Sequence, residues 1–300
     1  MVQLFVGIVL NVPILHHDMS IEVYDDLSFA FSEKITKTYS TSFYSASRLF
    51  SPEIRTAIYS IYGFVRLADE IVDTFHTIAQ AALLDQFERD YDLAFLQGIS
   101  ANPVLHSFQL TVKRFHIPDE YIRSFITSMR ADLHKKIYST QPEADAYIYG
   151  SADVVGLMCL KVFCGDDTEL FNQLVGPAMR LGSAFQKVTF LRDLKNDVEL
   201  LGRIYFPNFS WEGFDEPTKE RLVKEIEGDF EVANLGILAL PENSRLAVTV
   251  AYNYYLKLLH KIKETPAKEL KSKRIRVSNV NKLWLLSEAV ITHKLKLLSI

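Results

Sequence analysis

The sequence predicts an all-α fold, a single domain built as a bundle of about eight to ten helices. Apolar residues recur at helical spacing from Tyr24 onward, and no alternating pattern typical of β-strands competes with them. The chain is 48% hydrophobic, which is ample for one buried core. It has only 12 Gly and 10 Pro, and no stretch has the composition of a linker between domains.

Residues that start and end helices recur between the apolar segments. Ser51 is a candidate N-cap, and Pro52 follows it at the first helical position. Further helix starts, each with an acidic residue after proline, are predicted at Pro118, Pro142 and Pro241. Helix stops or breaks are predicted at Gly165, Gly202 and Pro266, and the longest non-helical stretch at residues 203–217.

The N-terminal segment differs from the rest of the chain. Residues 2–15 are almost wholly apolar, but a membrane-spanning helix needs ~20 such residues. The segment also lacks the basic start and the small-residue cleavage site of a signal peptide. We predict that residues 1–23 are an N-terminal extension, non-native or disordered, and that residues 24–300 form the folded domain.

The charge and the cysteine content argue against two classes of site. A net charge of −4 and a pI near 6.1 provide no basic field for nucleic acid. Cys159 and Cys164 lie in an apolar stretch without a nearby His, so they cannot complete a structural zinc site by themselves. Both are predicted to be buried, reduced thiols.

The segment of residues 52–74 carries two parallel stripes on one predicted helix. The apolar stripe has the spacing of a core-facing surface and comprises Ile54, Ile58, Ile61, Val65, Ala68 and Val72. Beside it, a phenol, a guanidinium and two carboxylates form a polar stripe of Tyr62, Arg66, Asp69 and Asp73. A solvated helix face usually mixes charges with Lys, Gln and Ser, so this composition indicates a functional surface.

The segment of residues 175–201 repeats this arrangement. Two small residues, two neutral polar residues and two carboxylates share one face, namely Ala178, Gly182, Gln186, Thr189, Asp193 and Asp197. Arg192 and Lys195 flank the carboxylates. The chain therefore has two candidate carboxylate helices.

Paired carboxylates at this spacing suit a divalent cation. Side chains four residues apart lie on one helix face, ~6 Å apart along the axis. Mg²⁺ prefers oxygen ligands and commonly takes one or two carboxylates together with substrate phosphates and water. Two such helices facing each other would hold Mg²⁺ around a diphosphate. The alternative is a solvated surface on which Arg66 pairs with Asp69 or Asp73.

The same segments resemble the squalene/phytoene synthase family, over most of the chain from residue 37 onward. The matching segments, in order, are residues 39–43, 61–73, 147–156, 186–197 and 202–207. The resemblance implies an isoprenoid synthase helical bundle around a central cavity, with residues 24–300 as the catalytic domain. The implied activity is that of a prenyltransferase that joins two isoprenoid diphosphates head to head.

The resemblance also implies roles for individual residues. Magnesium, as two or three ions with Mn²⁺ as a substitute, would be bound by Asp69, Asp73, Thr189, Asp193 and Asp197. Those four aspartates would be catalytic, together with Arg192, Tyr147 and Tyr252. Substrate binding is implied for Tyr39, Ser40, Thr41, Ser42, Tyr62, Arg66, Gln186, Arg203 and Arg276. Room for a prenyl chain is implied at Ala152, Gly156 and Gly182.

Two positions depart from the family pattern. Thr189 stands where the family usually has Asn, which can contribute an oxygen to the metal. The Thr hydroxyl is expected to keep the site with altered affinity. Tyr39 stands where the family often has His, which puts only that contact in doubt.

The expected product is phytoene, made from two geranylgeranyl diphosphates through prephytoene diphosphate, without NADPH. This expectation rests on the similarity of residues 59–64 and 184–188 to bacterial carotenoid enzymes. The alternative is a farnesyl diphosphate enzyme that makes squalene, dehydrosqualene or presqualene diphosphate. The chain lacks a glycine-rich dinucleotide fingerprint, which does not separate the two. A non-catalytic assembly factor of the same fold would be expected to lose the four aspartates, and a plain helical scaffold is the third alternative.

Location and partners follow from the lipid nature of the implied substrates. We expect a cytoplasmic enzyme in peripheral contact with the inner face of the cell membrane. Candidate contacts with anionic headgroups are Lys268, Lys271, Lys273, Arg274 and Arg276. The alternative for these basic residues is a solvated helix end. The sequence indicates no obligate protein partner.

Overall fold

The computed structural model describes residues 21–275, and the regular secondary structure of this part of the chain is helical apart from one β-bridge between Ile137 and Ile204. The predicted all-α fold is confirmed. Twelve α-helices and one π-helical turn follow in order: α1 Ile21–Tyr39, α2 Thr41–Ser47, α3 Pro52–Asp73, α4 Gln80–Gln97, α5 Pro103–Arg114, α6 Asp119–Asp132, α7 Gln141–Ile148, the π-helical turn Tyr149–Asp153, α8 Val154–Cys164, α9 Thr168–Glu199, α10 Glu216–Ala239, α11 Glu242–Glu264 and α12 Ala267–Leu270.

The helix-start signals of the sequence are found where the helices begin. α3 begins at Pro52, α6 directly after Pro118, and α11 directly after Pro241. The described part of the chain has more helices than the eight to ten predicted, because α2, α7 and α12 have 7, 8 and 4 residues. Helices this short do not span enough turns to produce a recognisable apolar stripe. Most of the predicted N-terminal extension, residues 1–20, lies outside the described residues, and residues 21–23 belong to α1.

α3 lies at the centre of the larger buried cluster. Five of its six predicted apolar-stripe residues are buried, and the sixth, Val65, lines the central cavity instead. Phe64 is completely buried and stacks on Phe108 with ring centroids 3.9 Å apart. Full burial of one such side chain contributes roughly 1.5–3 kcal/mol. This packing fixes the neighbouring polar stripe in position.

α9 is the longest helix described, with 32 residues. Its N-cap is Asp167, whose carboxylate accepts a hydrogen bond from the backbone N–H of Leu170 at 2.9 Å. It begins seven residues before the predicted segment and continues through Pro177. The Pro177 ring packs against Gly236 of α10, where an added Cβ would lie only 2.3 Å from the Cβ of Pro177. α9 can therefore lie close against α10 along its length.

α7, the π-helical turn and α8 form one continuous helix, Gln141–Cys164. By length and composition this helix could cross a membrane, but half of its most apolar window is buried inside the fold. Leu157 and Met158 lie in the main core with at most 2% exposure, so this helix belongs to the core of the fold. In the π-helical turn the N–H of Val154 donates to the carbonyl of Tyr149, five residues back.

Both cysteines are unpaired, but the prediction that both are buried holds only for Cys164. Cys164 is buried at the end of α8, whereas Cys159 is partly exposed and lines the central cavity. Burial raises the pKa of the Cys159 thiol to about 12, so this group stays protonated near neutral pH.

Candidate active site

A cavity of about 650 Å³ lies between α3, the π-helical turn, α8, α9, α10 and α11. That volume is typical of small-molecule sites. Most of its wall is apolar, contributed by residues such as Phe50, Ile58, Phe125, Leu181 and Ile237. Twelve of the residues predicted to bind substrate or metal, or to act in catalysis, also line it: Tyr39, Ser40, Tyr62, Arg66, Asp69, Tyr147, Ala152, Gly156, Gly182, Gln186, Thr189 and Arg192. The polar members lie at one end, beside the carboxylate helices.

The small residues of the wall allow helices to touch. A Cβ added to Gly182 would lie 2.9 Å from the carbonyl oxygen of Ala152, and one added to Gly156 would lie 3.2 Å from that of Ala178. Contacts this close are rarely tolerated by a side chain, so glycine is needed for the backbones to approach. At this part of the wall, the backbones of the π-helical turn and α8 therefore lie directly against the backbone of α9.

The N-terminal side of the polar end is built by α2 and α3. Ser40 is the N-cap of α2, and its hydroxyl accepts a hydrogen bond from the N–H of Phe43 at 3.3 Å. Tyr62 stacks on Phe43 with centroids 5.1 Å apart. The Arg66 guanidinium lies 4.4 Å from the centroid of the Tyr39 ring, so Tyr at this position makes a cation–π contact. Thr41 and Ser42 lie in the first turn of α2 and do not line the cavity.

The first carboxylate pair is held by arginines. Asp69 accepts from Arg66 Nη1 at 2.7 Å, and Asp73 accepts from Arg203 Nη1 at 2.8 Å. Burial raises the pKa of Asp69 to about 6, and the charge of Asp73 adds to this effect. Arg66 and Arg203 oppose the shift without cancelling it. The pair therefore has less cationic compensation than two full carboxylate charges require.

The second carboxylate pair lies in the last turns of α9. Asp193 accepts hydrogen bonds from Arg192 Nη2 at 2.6 Å and from Arg274 Nη2 at 3.1 Å. Burial raises the pKa of Asp197 to about 7, and the charges of Asp193 and Asp73 raise it further. Because Asp73 belongs to α3, the two predicted carboxylate stripes act on one another in the folded protein.

Arg203 connects the two carboxylate helices. Its backbone N–H donates to the carbonyl of Asp197 at 2.7 Å, while its buried side chain reaches Asp73 of α3. The other terminal nitrogen donates to the backbone carbonyl of Asp132 at 3.1 Å. Burial acts to lower the pKa of Arg203, but the charges of Asp132 and Asp73 outweigh it and raise this pKa further above its usual range. One residue therefore connects the ends of three helices, with its guanidinium on α3 and α6 and its backbone N–H on α9.

Sequence reasoning missed Asp132, the last residue of α6. Its buried carboxylate accepts a hydrogen bond from the Tyr147 hydroxyl at 2.9 Å. Its Oδ1 atom has no hydrogen-bond partner among the described residues and lies 3.9 Å from Arg203 Nη1. Burial raises the pKa of Asp132 to about 7, and Arg203 opposes this shift. No periodic pattern marks this residue, because its partners come from other elements.

Tyr255 and Arg274 line the cavity but were not predicted as site residues, whereas the predicted Tyr252 lies elsewhere. Tyr252 does not line the cavity; its hydroxyl donates to the carbonyl of Phe230 at 3.4 Å, between the two buried clusters. Tyr255, three residues later on α11, lines the cavity and stacks on Phe185 at 4.0 Å. Arg274 lines the polar end beside Asp193. Arg276 lies outside the described residues.

The carboxylate end suits a metal that is shared with a substrate. Within residues 21–275, no three Asp, Glu, His or Cys side chains form a ready-made metal cluster. Mg²⁺ does not need one, because it commonly combines one or two carboxylates with phosphate oxygens and water. The raised pKa values of Asp69 and Asp197 and the unpartnered Oδ1 of Asp132 fit a site that is short of positive charge. The donor set therefore fits Mg²⁺ bound together with a diphosphate.

The raised pKa of Asp197 predicts a pH-dependent response to magnesium. Its folded pKa of about 7 exceeds the ordinary 3.8, so between about pH 4 and pH 7 the folded state binds more protons than the unfolded state. Its contribution to the free energy of unfolding therefore falls as pH rises through this window. Cation binding needs the deprotonated form, so Mg²⁺ should raise the Tm more at pH 8 than at pH 5.

Thermal unfolding at both pH values, with and without Mg²⁺, measures this effect. The Asp197→Asn variant isolates the contribution of Asp197, because it cannot titrate. Its Tm should depend less on pH between 4 and 7 than that of the wild type, and Mg²⁺ should raise it less at pH 8. An equal Mg²⁺ shift at pH 5 and pH 8 in the wild type would contradict the prediction.

Comparison with known proteins agrees with this geometry. Residues 36–281 match the family model described as squalene/phytoene synthase. The chain belongs to this family. It is 31% identical to the 15-cis-phytoene synthase of Synechocystis sp. over 260 residues, which cover 77% of this chain and 75% of the relative. It is 30% identical to the chloroplastic phytoene synthase 1 of Zea mays over 253 residues, 76% of this chain and 60% of the longer relative.

Solved structures give the same result. A dehydrosqualene synthase in complex with a ligand superposes with a TM-score of 0.77 and 27% identity, over 90% of this chain and 98% of that one. Membership of this family supports prenyltransferase activity of the head-to-head condensing class. The relatives differ in their named product, so the substrate of this chain is addressed as a proposal.

Proposed function

We propose that this protein condenses two geranylgeranyl diphosphates to phytoene, with release of two pyrophosphates, in carotenoid biosynthesis. The observation that carries the proposal is the pair of carboxylate helices, joined through Arg203, at the polar end of an apolar cavity. A cavity of this kind can hold a diphosphate among charges and its hydrocarbon chain away from water. The names of the similar phytoene synthases support the C20 substrate.

The second candidate is condensation of farnesyl diphosphates to dehydrosqualene or squalene. The observation that favours it is the similarity to a solved dehydrosqualene synthase, which covers almost all of that chain. Both candidates need the same diphosphate site. They differ in the length of hydrocarbon that the cavity accepts and, for squalene, in the use of a reductant.

The proposed magnesium site uses Asp69, Asp73, Asp193 and Asp197, with Thr189 beside them. Bound Mg²⁺ would neutralise the diphosphate and stabilise the departing pyrophosphate. The Thr189 hydroxyl donates to the carbonyl of Phe185 at 2.9 Å, so only its oxygen lone pairs are available to a cation. Arg192 and Arg274, both bound to Asp193, can turn their remaining N–H groups toward phosphate oxygens.

The proposed chemistry has two ionisations. First, the C1–O bond of one substrate breaks, the electron pair leaves with pyrophosphate, and an allylic cation remains. The double bond of the second substrate attacks this cation, and loss of a proton closes a cyclopropane that keeps its own diphosphate. A second C–O cleavage, rearrangement and loss of another proton give the central triene. No electrons are added, so phytoene formation requires no reductant.

The cavity wall serves this chemistry in two ways. Its apolar lining excludes water, which would otherwise trap the cations as alcohols. The faces of Tyr62, Tyr147 and Phe185 can stabilise positive charge. Burial raises the pKa of Tyr147 well above its usual value, so its phenol stays protonated and its hydrogen bond to Asp132 fixes the ring.

The lipid substrates also support a proposed location, in the cytoplasm with peripheral contact to the inner face of the cell membrane. Of the basic residues named for this contact, Lys268 is exposed. Arg274 instead pairs with Asp193, and Lys273 pairs with Glu269. Binding to the headgroups would therefore rest on fewer cations than the sequence suggests.

Incubation of the purified protein with C15 or C20 diphosphate tests the proposal. Reactions would contain Mg²⁺, with and without NADPH, and the extracted lipids would be identified by chromatography and mass spectrometry. We expect phytoene from the C20 substrate without reductant, and no product when Mg²⁺ is chelated. Conversion of the C15 substrate alone would establish the second candidate, and no conversion of either would overturn the proposal.

A further inference from the structure

Four polar side chains are buried where α9, α10 and the π-helical turn meet, apart from the carboxylate site: Asp153, Ser183, Lys187 and Asp229. They are hydrogen-bonded to one another in pairs. The Ser183 hydroxyl donates to Asp153 Oδ1 at 2.8 Å, and Lys187 Nζ donates to Asp229 Oδ2 at 2.9 Å. Lys187 also donates to Glu225 at 2.6 Å. The chemistry proposed above uses none of these groups.

Burying charged side chains such as Asp153, Lys187 and Asp229 costs free energy. Burial raises the pKa of Asp153 to about 7, and the charge of Asp229 adds to this, whereas Ser183, Lys187 and Arg180 favour the ionised form. Replacing buried ion pairs by apolar residues is often neutral or stabilising, so they are weak evidence for stability. A role in holding local geometry therefore explains these buried groups better than a contribution to stability.

The bond between Asp153 and Ser183 lies directly behind the cavity wall. The two residues follow Ala152 and Gly182, which both line the cavity. A Cβ added to Gly182 would lie 2.9 Å from the Ala152 carbonyl oxygen and 3.0 Å from the Asp153 Cα. The hydrogen bond therefore lies at the point where the π-helical turn packs against α9, and it holds the two backbones at this distance.

The opposite side of the turn packs equally closely on α6. A Cβ added to Gly150 would lie 2.5 Å from the carbonyl oxygen of Ser124 and 2.1 Å from the hydroxyl of Ser128. Ser128 in turn donates to the carbonyl of Tyr147 at 3.3 Å. The turn is therefore held between α6 and α9, and π-helical turns of this kind are frequent at functional sites.

We propose that Asp153 and Ser183 are positioning residues that hold the π-helical turn against α9 and thereby determine which prenyl chain length the cavity accepts. The inference rests on the proposed function, because it takes the cavity as the prenyl site. When the hydrogen bond is lost, the wall at Ala152 moves away from α9. Contacts with the additional carbons of the longer chain are then lost, and discrimination between C20 and C15 substrates falls.

The test compares kcat/KM for C20 and C15 diphosphates in the wild type and four variants. Ser183→Ala should lower the C20-to-C15 ratio by at least about fourfold, the effect of one methylene moved out of contact. Asp153→Asn should keep the wild-type ratio, because its amide oxygen still accepts from Ser183. Asp153→Ala and the double variant Asp153→Ala/Ser183→Ala should match Ser183→Ala, because all three remove the same bond.

Ser107→Ala is the matched control. Ser107, like Ser183, is a buried serine, and its hydroxyl is hydrogen-bonded to that of Ser32 at 2.9 Å, between α1 and α5. The variant should lower the Tm as Ser183→Ala does but leave the substrate ratio unchanged. A wild-type ratio in Ser183→Ala, or an equal change in Ser107→Ala, would overturn the proposal.

A second measurement separates this proposal from the proposed function. If the wild type converts neither substrate, the proposed function fails, and amide hydrogen exchange still tests the positioning role. Exchange at residues 149–156 should be faster in Ser183→Ala than in the wild type, and unchanged in Ser107→Ala. Unchanged exchange in Ser183→Ala would refute the positioning role, whatever the substrate proves to be.

Discussion

Replacement of Asp193 by alanine should lower kcat by about a thousandfold, equivalent to several kcal/mol of lost charge stabilisation. Asp193 joins the second carboxylate pair to both Arg192 and Arg274. Its loss removes a proposed ligand and also releases the two arginines that face the diphosphate. Asp69→Ala should have an effect of similar size, since it removes the carboxylate that lines the cavity. Release of pyrophosphate and formation of the lipid product measure both effects.

The matched control is Asp92→Ala. Asp92 is also an aspartate that pairs with an arginine, Arg123, but its side chain is 48% exposed on the outer surface of α4. We expect it to keep wild-type turnover and to respond to Mg²⁺ as the wild type does. Wild-type turnover in Asp193→Ala or Asp69→Ala would show that the diphosphate site is wrongly assigned.

Replacement of Arg203 by methionine should destabilise the protein by about 3–5 kcal/mol, the usual cost of removing one partner of a buried ion pair. Its side chain is buried and is the closest cation to both Asp73 and Asp132. Without it, the buried carboxylate of Asp132 has no nearby cation, and the partly exposed Asp73 loses its ion pair. Because burial raises the pKa of Asp132 to about 7, this carboxyl can take up a proton at pH 5, and the loss should be smaller there than at pH 8. Urea unfolding at both pH values measures it.

The chain offers a control and a rescue for this prediction. Arg123 pairs with three carboxylates, those of Glu88, Asp92 and Asp119, but it is 38% exposed. Arg123→Met should therefore cost at most ~1 kcal/mol. The double variant Arg203→Met/Asp132→Asn should regain part of the lost stability, because the neutral amide needs no cation. A fully stable Arg203→Met variant would contradict the structural role given to this residue.

The parts of the site that lie along single helices could be predicted from the sequence. The polar stripe of α3 and the small-residue and carboxylate stripe of α9 follow from helical periodicity, which places residues three and four apart on one face. Arg66, Asp69, Gly182 and Gln186 were named in this way and line the cavity. The caps and prolines that start the helices act locally, so the helix starts can also be predicted from the sequence.

Contacts between distant elements could not be predicted in this way. Asp132 ends α6, and its importance comes from Tyr147 and Arg203, which are 15 and 71 residues away. The rotation of α11 about its own axis could not be predicted from the sequence either. Val248, Ala251 and Tyr255 face the cavity, and Tyr252, one residue after Ala251, is turned about 100° away from it. The rotation of a helix about its axis depends on what packs around it.

α9 carries the cavity wall, the second carboxylate pair and the hydrogen bond to the π-helical turn on one uninterrupted helix. Each residue advances an α-helix by about 100° and 1.5 Å. An insertion or deletion of one residue between Thr189 and Asp193 would therefore leave the wall up to Thr189 in place and turn the carboxylates away from Arg203. Substitutions along α9 can alter single contacts, but a change in its length rotates the carboxylates relative to the cavity wall.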